Sequence, residues 1–193
     1  IWRHKLMIPT LKQVRLKEFG YLPVGAKVIN GTVSCKAGRF YVSVVIDIDE
    51  KSKYNKDLEA SYHVTTDGIG IDLGVKDLAI VSNGNTFKNI NKSSKVKRLE
   101  KRLRREQRRL SRKYEFRKKK GGMTATASAN IDKQKLRVQK IHYRIDTIRE
   151  DYENKVVHEI VKQKPRFITM EDLNVKGMMK NKHLAKAVAA QRF

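Results

Sequence analysis

Apolar and polar side chains change rhythm along this chain, and the changes mark out its elements. Through "KVINGTVSCKAGRFYVSVVIDID", residues 27–49, they alternate with period two, broken by Gly and Asn. That pattern predicts half-buried strands. "KAGRF" predicts a hairpin turn at Gly38, after which Phe40, Val42 and Val44 alternate. The first 65 residues therefore read as part of a small barrel or sandwich. A polar connector, "KSKYNKDLEASYHVTTD", places a domain boundary near residues 60–66.

"GIGIDLGVKDLAIVSNGNTFKNI", residues 68–90, predicts a three-strand antiparallel meander. Its turns fall at Val75–Asp77 and at Asn83-Gly84, the latter a type I′ signal. Then the period becomes helical. Val96, Leu99, Leu103, Leu110 and Tyr114 form one seam; Val138, Ile141, Ile145, Ile148, Tyr152, Val156 and Ile160 form another. The two predict an antiparallel helical hairpin over 91–164, joined by a loop of small residues, "GGMTATASAN". Pro165 ends the second helix. "RFITMEDL" predicts a short buried strand, and Asn181 a cap for a last helix carrying Leu184, Ala187, Val188 and Gln191.

Three antiparallel strands, helices, then another strand is the opening order of an RNase H-like mixed sheet. In that α+β or α/β architecture the strand after the helices lies parallel beside the first, through a crossover of right-handed sense. The order gives Asp72, a carboxylate inside an apolar run, a purpose. If its strand neighbours "RFITMEDL", Asp72 and Glu171 project from one edge of the sheet. Two close carboxylates repel unless a cation joins them. Hard oxygen ligands suit Mg²⁺ or Mn²⁺, and two such ions can activate a water and stabilise the leaving oxygen of a phosphodiester. Asp72 would bridge the ions and Glu171 would bind one. The plainer readings are a strand-edge Asp at 72 and a strand end feeding an Asx turn at 171. Asp67, Asp77 and Asp172 take turn or supporting roles, and "GIGIDLG" lacks the glycine spacing of a dinucleotide fingerprint.

Charge narrows the partner. The chain carries 44 Lys+Arg against 20 Asp+Glu, a net +24. Residues 95–120 alone hold 15 basic and 3 acidic side chains, so half the excess lies in 26 residues. Such a density predicts nucleic acid. The cluster Arg98, Lys101, Arg102, Arg104, Arg105, Arg108, Arg109, Arg112 and Lys113 surrounds the first helical seam. It would neutralise phosphates and position a backbone without reading sequence. Tyr114, Phe116, Met170, Met178 and Met179 read as packing residues. No apolar run approaches a membrane span, and Cys35 is the single cysteine. The expected setting is cytoplasmic and nucleoid-associated. The chain opens at Ile1 and closes inside a helical pattern, which predicts a piece of a longer protein.

These residues carry a family resemblance. "GIDLGVKDLAIVSNG" resembles the first RuvC motif of the TnpB (OrfB) transposon-encoded proteins, and "FITMEDLNVKGMMKNKHLAKAV" their second. "KRLEKRLRREQRRLSRKY" resembles their basic helix, and "GRFYVSVVIDI" the last strands of their wedge domain. The resemblance implies a RuvC-like nuclease domain over 66–193, preceded by part of a wedge-like β domain over 1–65. It implies an RNA-guided DNA endonuclease, with guide RNA and target DNA as partners and Asp72 and Glu171 as catalytic positions. The family's third acid and its four-cysteine ribbon for structural Zn²⁺ lie beyond the matched motifs. Where many relatives read "DFLHK" this chain reads "DYENK", with Asn154 in place of His. The rival reading is a catalytically inactive relative, either an RNA-guided repressor or a plain RNA-binding protein. An ATPase of the actin–hexokinase type shares an "hDLG" core, but a basic helical insertion does not fit it.

Overall fold

The computed structural model describes residues 4–18, 20–23, 26–48, 67–119 and 125–192. The chain divides into two compact units, one of Ile1–Ser34 with Phe40–Tyr62, the other of Cys35–Arg39 with His63–Phe193. The boundary expected near residues 60–66 lies outside the described residues.

Among the described residues up to 48 there are two separate ribbons, the tip of the second, Cys35–Arg39, being assigned to the larger unit. β1 (Lys5–Ile8) pairs antiparallel with β2 (Lys12–Arg15), a hairpin that the alternation analysis missed. β3 (Lys27–Lys36) pairs with β4 (Arg39–Asp47). Their turn lies at Ala37-Gly38, as expected. Both residues have positive φ, 52° and 78°, the conformation that a two-residue turn of this hand demands.

The larger unit is built on a four-stranded mixed sheet of order β7-β6-β5-β8. β5 (Ile69–Leu73), β6 (Asp77–Val81) and β7 (Thr86–Lys88) form the expected antiparallel meander. β8 (Ile168–Met170) joins β5 in parallel, about a hundred residues later. The β6–β7 turn departs from expectation. Only Gly84 has positive φ, 90°, and Val81 N–H donates to Asn85 O at 2.9 Å. Ser82, Asn83 and Gly84 thus form a three-residue loop with its left-handed position at Gly84. Asn83 is spent otherwise, its Oδ1 accepting from Asn85 N–H at 3.0 Å.

Between β7 and β8 runs the helical hairpin. A 3₁₀ turn at Ile90–Lys92 leads into α1 (Ser94–Lys119). Ser93 Oγ accepts from Val96 N–H at 3.3 Å and caps it. α2 (Ala125–Val161) is 37 residues long, about 55 Å at 1.5 Å per residue. It begins inside the stretch read as a loop. Residues 125–130 contain no Gly or Pro, so the helix extends through them; 121–124 lie outside the described residues.

Two hydrophobic clusters share α2. Val96 and Leu99 of α1 pack on Ile141 and Ile145, with Ile90, Leu103 and Ile148 around them. Further along, Val156 and Ile160 pack on the sheet face made by Ile69, Ile71, Leu78, Ala79 and Val81. Tyr152 adds a polar anchor, its hydroxyl donating to Lys88 O at 2.7 Å. Tyr114 and Phe116, expected in the core, are exposed on α1 (39% and 61%). The Lys135 ammonium of α2 lies 5.8 Å from the Tyr114 ring centroid, a contact at the hairpin surface rather than in its core. Met170 and Met179 are also exposed rather than packed.

After β8 come two short helices instead of one. α3 (Val175–Lys180) is capped by Asn174, whose side chain accepts from Gly177 N–H at 2.9 Å. α4 (Ala185–Gln191) buries Val188 and Gln191. Asn181 ends α3 rather than capping α4 and holds the turn between them, its Oδ1 accepting from His183 N–H at 2.9 Å. Among the described residues no helix is long and apolar enough to cross a membrane.

Candidate active site and nucleic-acid interface

Why Asp72 interrupts an apolar strand follows from the pleat. Ile69, Ile71 and Leu73 turn inward toward α2, so Asp72 turns to the opposite face. It is exposed there, opposite Ile80 of β6. On the other side of β5 the parallel register runs Ile69↔Ile168, Gly70↔Thr169, Ile71↔Met170. Asp72 and Glu171 are each the next residue. Adjacent strands lie about 4.8 Å apart, so this register brings the two backbones side by side where the carboxylates branch off. Glu171 is exposed as well.

The end of β5 is held from behind. Three consecutive carbonyls of the β5–β6 turn each accept a side-chain donor. Gln191 Nε2 donates to Gly74 O at 2.9 Å, Asn89 Nδ2 to Val75 O at 2.8 Å, and Lys92 Nζ to Lys76 O at 2.8 Å. Asn91 ties this layer together, donating to Ala190 O at 2.9 Å and accepting from Arg149 Nε at 2.7 Å. Arg149 also pairs with Glu100 of α1 at 3.5 Å. The chain from Gly74 through Gln191 and Asn91 to Arg149 thus joins the turn two residues past Asp72 to both long helices. Sequence reasoning missed all of it. Its members are scattered polar residues with no common period.

Two carboxylates at one strand end are oxygen donors of the kind that Mg²⁺ prefers. Their exposure leaves room for water and phosphate. Among the described residues no third His, Cys, Asp or Glu joins such a group. The residues present therefore fit one side of a divalent-ion site.

The cationic hairpin is a second candidate surface. Of the nine expected contact residues, Arg98, Lys101, Arg102, Arg104, Arg105, Arg108, Arg109 and Arg112 are exposed, and Lys113 is half-buried. Several are already held locally. Lys113 Nζ donates to Asn130 O at 3.1 Å, and Arg98 and Arg108 donate to carbonyls one turn back. Buried between the helices lies Glu106. Its Oε2 accepts from Gln134 Nε2 at 2.8 Å and its Oε1 from Arg109 Nη1 at 2.9 Å. Gln134 is only 2% exposed. It also donates to the Glu106 carbonyl at 3.1 Å.

The Gln134 hydrogen bond, helped by Arg109, Arg137 and Arg102, outweighs burial and holds the Glu106 carboxyl below its ordinary value of 4.5. A depressed folded-state value stabilises the fold above the unfolded one, and that contribution fades as pH falls through the folded one. Acid titration is therefore expected to loosen the hairpin below about pH 4.5. Glu106→Gln, which cannot titrate, should flatten that part of a pH–stability curve followed by circular dichroism. Replacing Gln134 with Leu leaves the carboxylate short of a partner and is expected to cost about 1–3 kcal/mol.

A mixed α+β sheet with two acids at adjacent register positions and a heavily cationic hairpin has the charge distribution suited to a polyanion. The comparisons make this specific. Residues 51–182 match the OrfB_IS605 family, described as "Probable transposase", and the chain belongs to this OrfB (TnpB) family of transposon-encoded proteins. It is 32% identical over 177 residues to the "Putative RNA-guided DNA endonuclease InsQ" of Escherichia coli (strain K12), covering 92% of this chain and 38% of that protein. It is 31% identical over 169 residues to a "Putative RNA-guided DNA endonuclease" of Streptomyces pristinaespiralis, covering 87% of this chain and 36% of that one. The chain thus spans little more than a third of the length of either relative.

Proposed function

We propose that the larger unit is the RuvC-like, RNase H-like core of an RNA-guided DNA endonuclease, and that the smaller unit belongs to its wedge-like domain. The observation that supports the reading is the β5–β8 register, in which Ile71 pairs with Met170 and Asp72 and Glu171 are each the next residue. The names of two relatives, both putative RNA-guided DNA endonucleases, support guide RNA and target DNA as partners. Asp72 and Glu171 would hold Mg²⁺, or Mn²⁺ in its place, at this sheet edge. Bound there, the metal would supply an activated water and charge neutralisation at the scissile phosphate.

The chain's own residues do the rest. β5 holds Asp72 within its ladder, Glu171 follows directly on the last paired residue of β8, and the Gly74–Lys76 carbonyl contacts keep the end of β5 from fraying. The α1 cations take up phosphates and orient the strands by charge rather than by base identity.

The test is cutting by the whole protein loaded with guide RNA. A guide-matched duplex is expected to be cleaved in Mg²⁺ and left intact in excess chelator, and a scrambled guide should abolish cutting in both. Guided binding with no cutting under any divalent ion would support the inactive-relative reading instead.

A further inference from the structure

Of the five cations that line the hairpin groove, only two, Arg102 and Arg109, belong to the cluster expected on α1. A cleft of about 530 Å³ runs along one side of the α1–α2 seam. Leu99 and Ile141 form its floor. Arg102 and Arg109 line it from α1, and Arg137, Lys140 and Arg144 line it from α2. The α2 residues follow i, i+3, i+7 spacing, so they form one row. All five are exposed. Among the described residues no carboxylate pairs with Arg102, Arg137, Lys140 or Arg144 at ion-pair distance. Glu106 is the single acid in the wall, and Gln134 and Arg109 already occupy its oxygens.

Two facing rows of like charge with one acid, Glu106, among five cations still repel, and an anion in the groove removes that repulsion. We infer that the α1–α2 groove is a phosphodiester-backbone site in which Arg137, Lys140 and Arg144 of α2 hold one nucleic-acid strand against Arg102 and Arg109 of α1. The inference rests on the proposed function for its partner class and adds a second helix to the interface. Size selects a strand over a lone anion. Each row spans seven residues, about 10 Å of helix, while a duplex strand rises about 3.4 Å per phosphate. About three successive phosphates fit the row, whereas a single phosphate ion cannot meet all five cations. Glu106, fixed at the wall, weakens the grip and stays because it clamps the helices together.

The experiment uses the whole protein carrying Asp72→Asn, so that binding is read without cutting. A labelled 20-base-pair RNA–DNA heteroduplex and a 20-nucleotide RNA are titrated across a salt series. Substituting Arg137, Lys140 and Arg144 together with Gln is expected to lower the slope of log K against log salt by about 2.7 on the duplex, or about 2 on the single strand. The single variant Arg144→Gln should lower it by about 0.9 on the duplex, with unchanged circular dichroism. Glu106→Gln should tighten binding, which a purely structural carboxylate would not predict.

If the triple variant binds with wild-type slope and affinity while Gln at Arg98, Lys101, Arg105 and Arg108 weakens binding, the groove assignment falls and the proposed function stands. Competition by inorganic phosphate at equal phosphate concentration as strong as by the heteroduplex would also overturn it. Failure of the proposed function shows separately, as loss of guide dependence in the cutting assay with the wild-type protein.

Discussion

Asp72→Asn in the whole protein is expected to lower guided cutting by about 10²–10³-fold, the loss typical of removing one preorganised charge from a reacting centre. The substitution keeps the shape of the side chain and removes only its charge. Asp72 is exposed on β5, and its neighbours Ile71 and Leu73 carry the packing. Thermal stability should therefore stay within about 0.5 kcal/mol of wild type. Binding of the guided duplex should survive or tighten, because a negative charge near phosphate has gone. Glu171→Gln is expected to behave the same way, since β8 carries it to the same level of the sheet. In both variants any residual activity should need more Mg²⁺ for half-maximal cutting.

Asp172→Asn is the control. It adjoins Glu171 in sequence, but it falls one residue out of the Asp72 register and should cut almost normally. Wild-type rates in Glu171→Gln, or a dead Asp172→Asn, would move the site off this register.

The acid pair was legible because a carboxylate in an apolar run violates the pattern around it. The meander was legible because alternation and turn residues agreed. The helical hairpin was legible from two seams of period 3.6. What escaped had no such contradiction to announce it. Glu106 sits among arginines and Gln134 between two lysines, where any polar residue passes for surface; only the antiparallel pairing of the helices buries them together. Arg137, Lys140 and Arg144 were diluted in a helix of mixed charge, although their spacing beside the Val138–Ile141–Ile145 seam would have revealed a row. The start of α2 was missed because Ala, Thr and Ser suit loops and helices alike, and the helix already formed decided for them. Tyr114 and Phe116 were misplaced because an aromatic at helical spacing was read as core, whereas Tyr114 meets the Lys135 cation of α2 at the surface. Local pattern decided which elements form; the polar contacts between distant elements arise only once the fold has assembled them.

One helix, two clusters and two tasks give the last expected result. α2 packs on α1 through Ile141 and Ile145, and on the sheet through Val156 and Ile160. Ile145 and Ile160 are 3% and 5% exposed. Each truncation to Ala removes a buried branched side chain and is expected to cost about 2–5 kcal/mol. The two losses fall on different machinery. Ile160→Ala leaves a gap beneath β5 and β6, so the strand that carries Asp72 loses support, while the groove cations fifteen or more residues away keep their helix pair. Cutting should drop with little change in salt-dependent binding.

Ile145→Ala opens the seam beside Arg144 and under Leu99, loosening the two cationic rows. Binding should weaken and its salt slope should fall, while the single-turnover cutting rate of complexes that still form stays near wild type. Arg149 sits between the two clusters, joined to Glu100 on one side and through Asn91 to α4 on the other. The separation is therefore not complete. Arg149→Ala should lower both readouts and couple them. The measurement is a double-mutant cycle on cutting: Ile145→Ala and Ile160→Ala are far enough apart that their effects add when Arg149 is intact. Marked non-additivity there would mean that α2 and its two contacts act as one rigid unit, and the division of labour along the helix would fail.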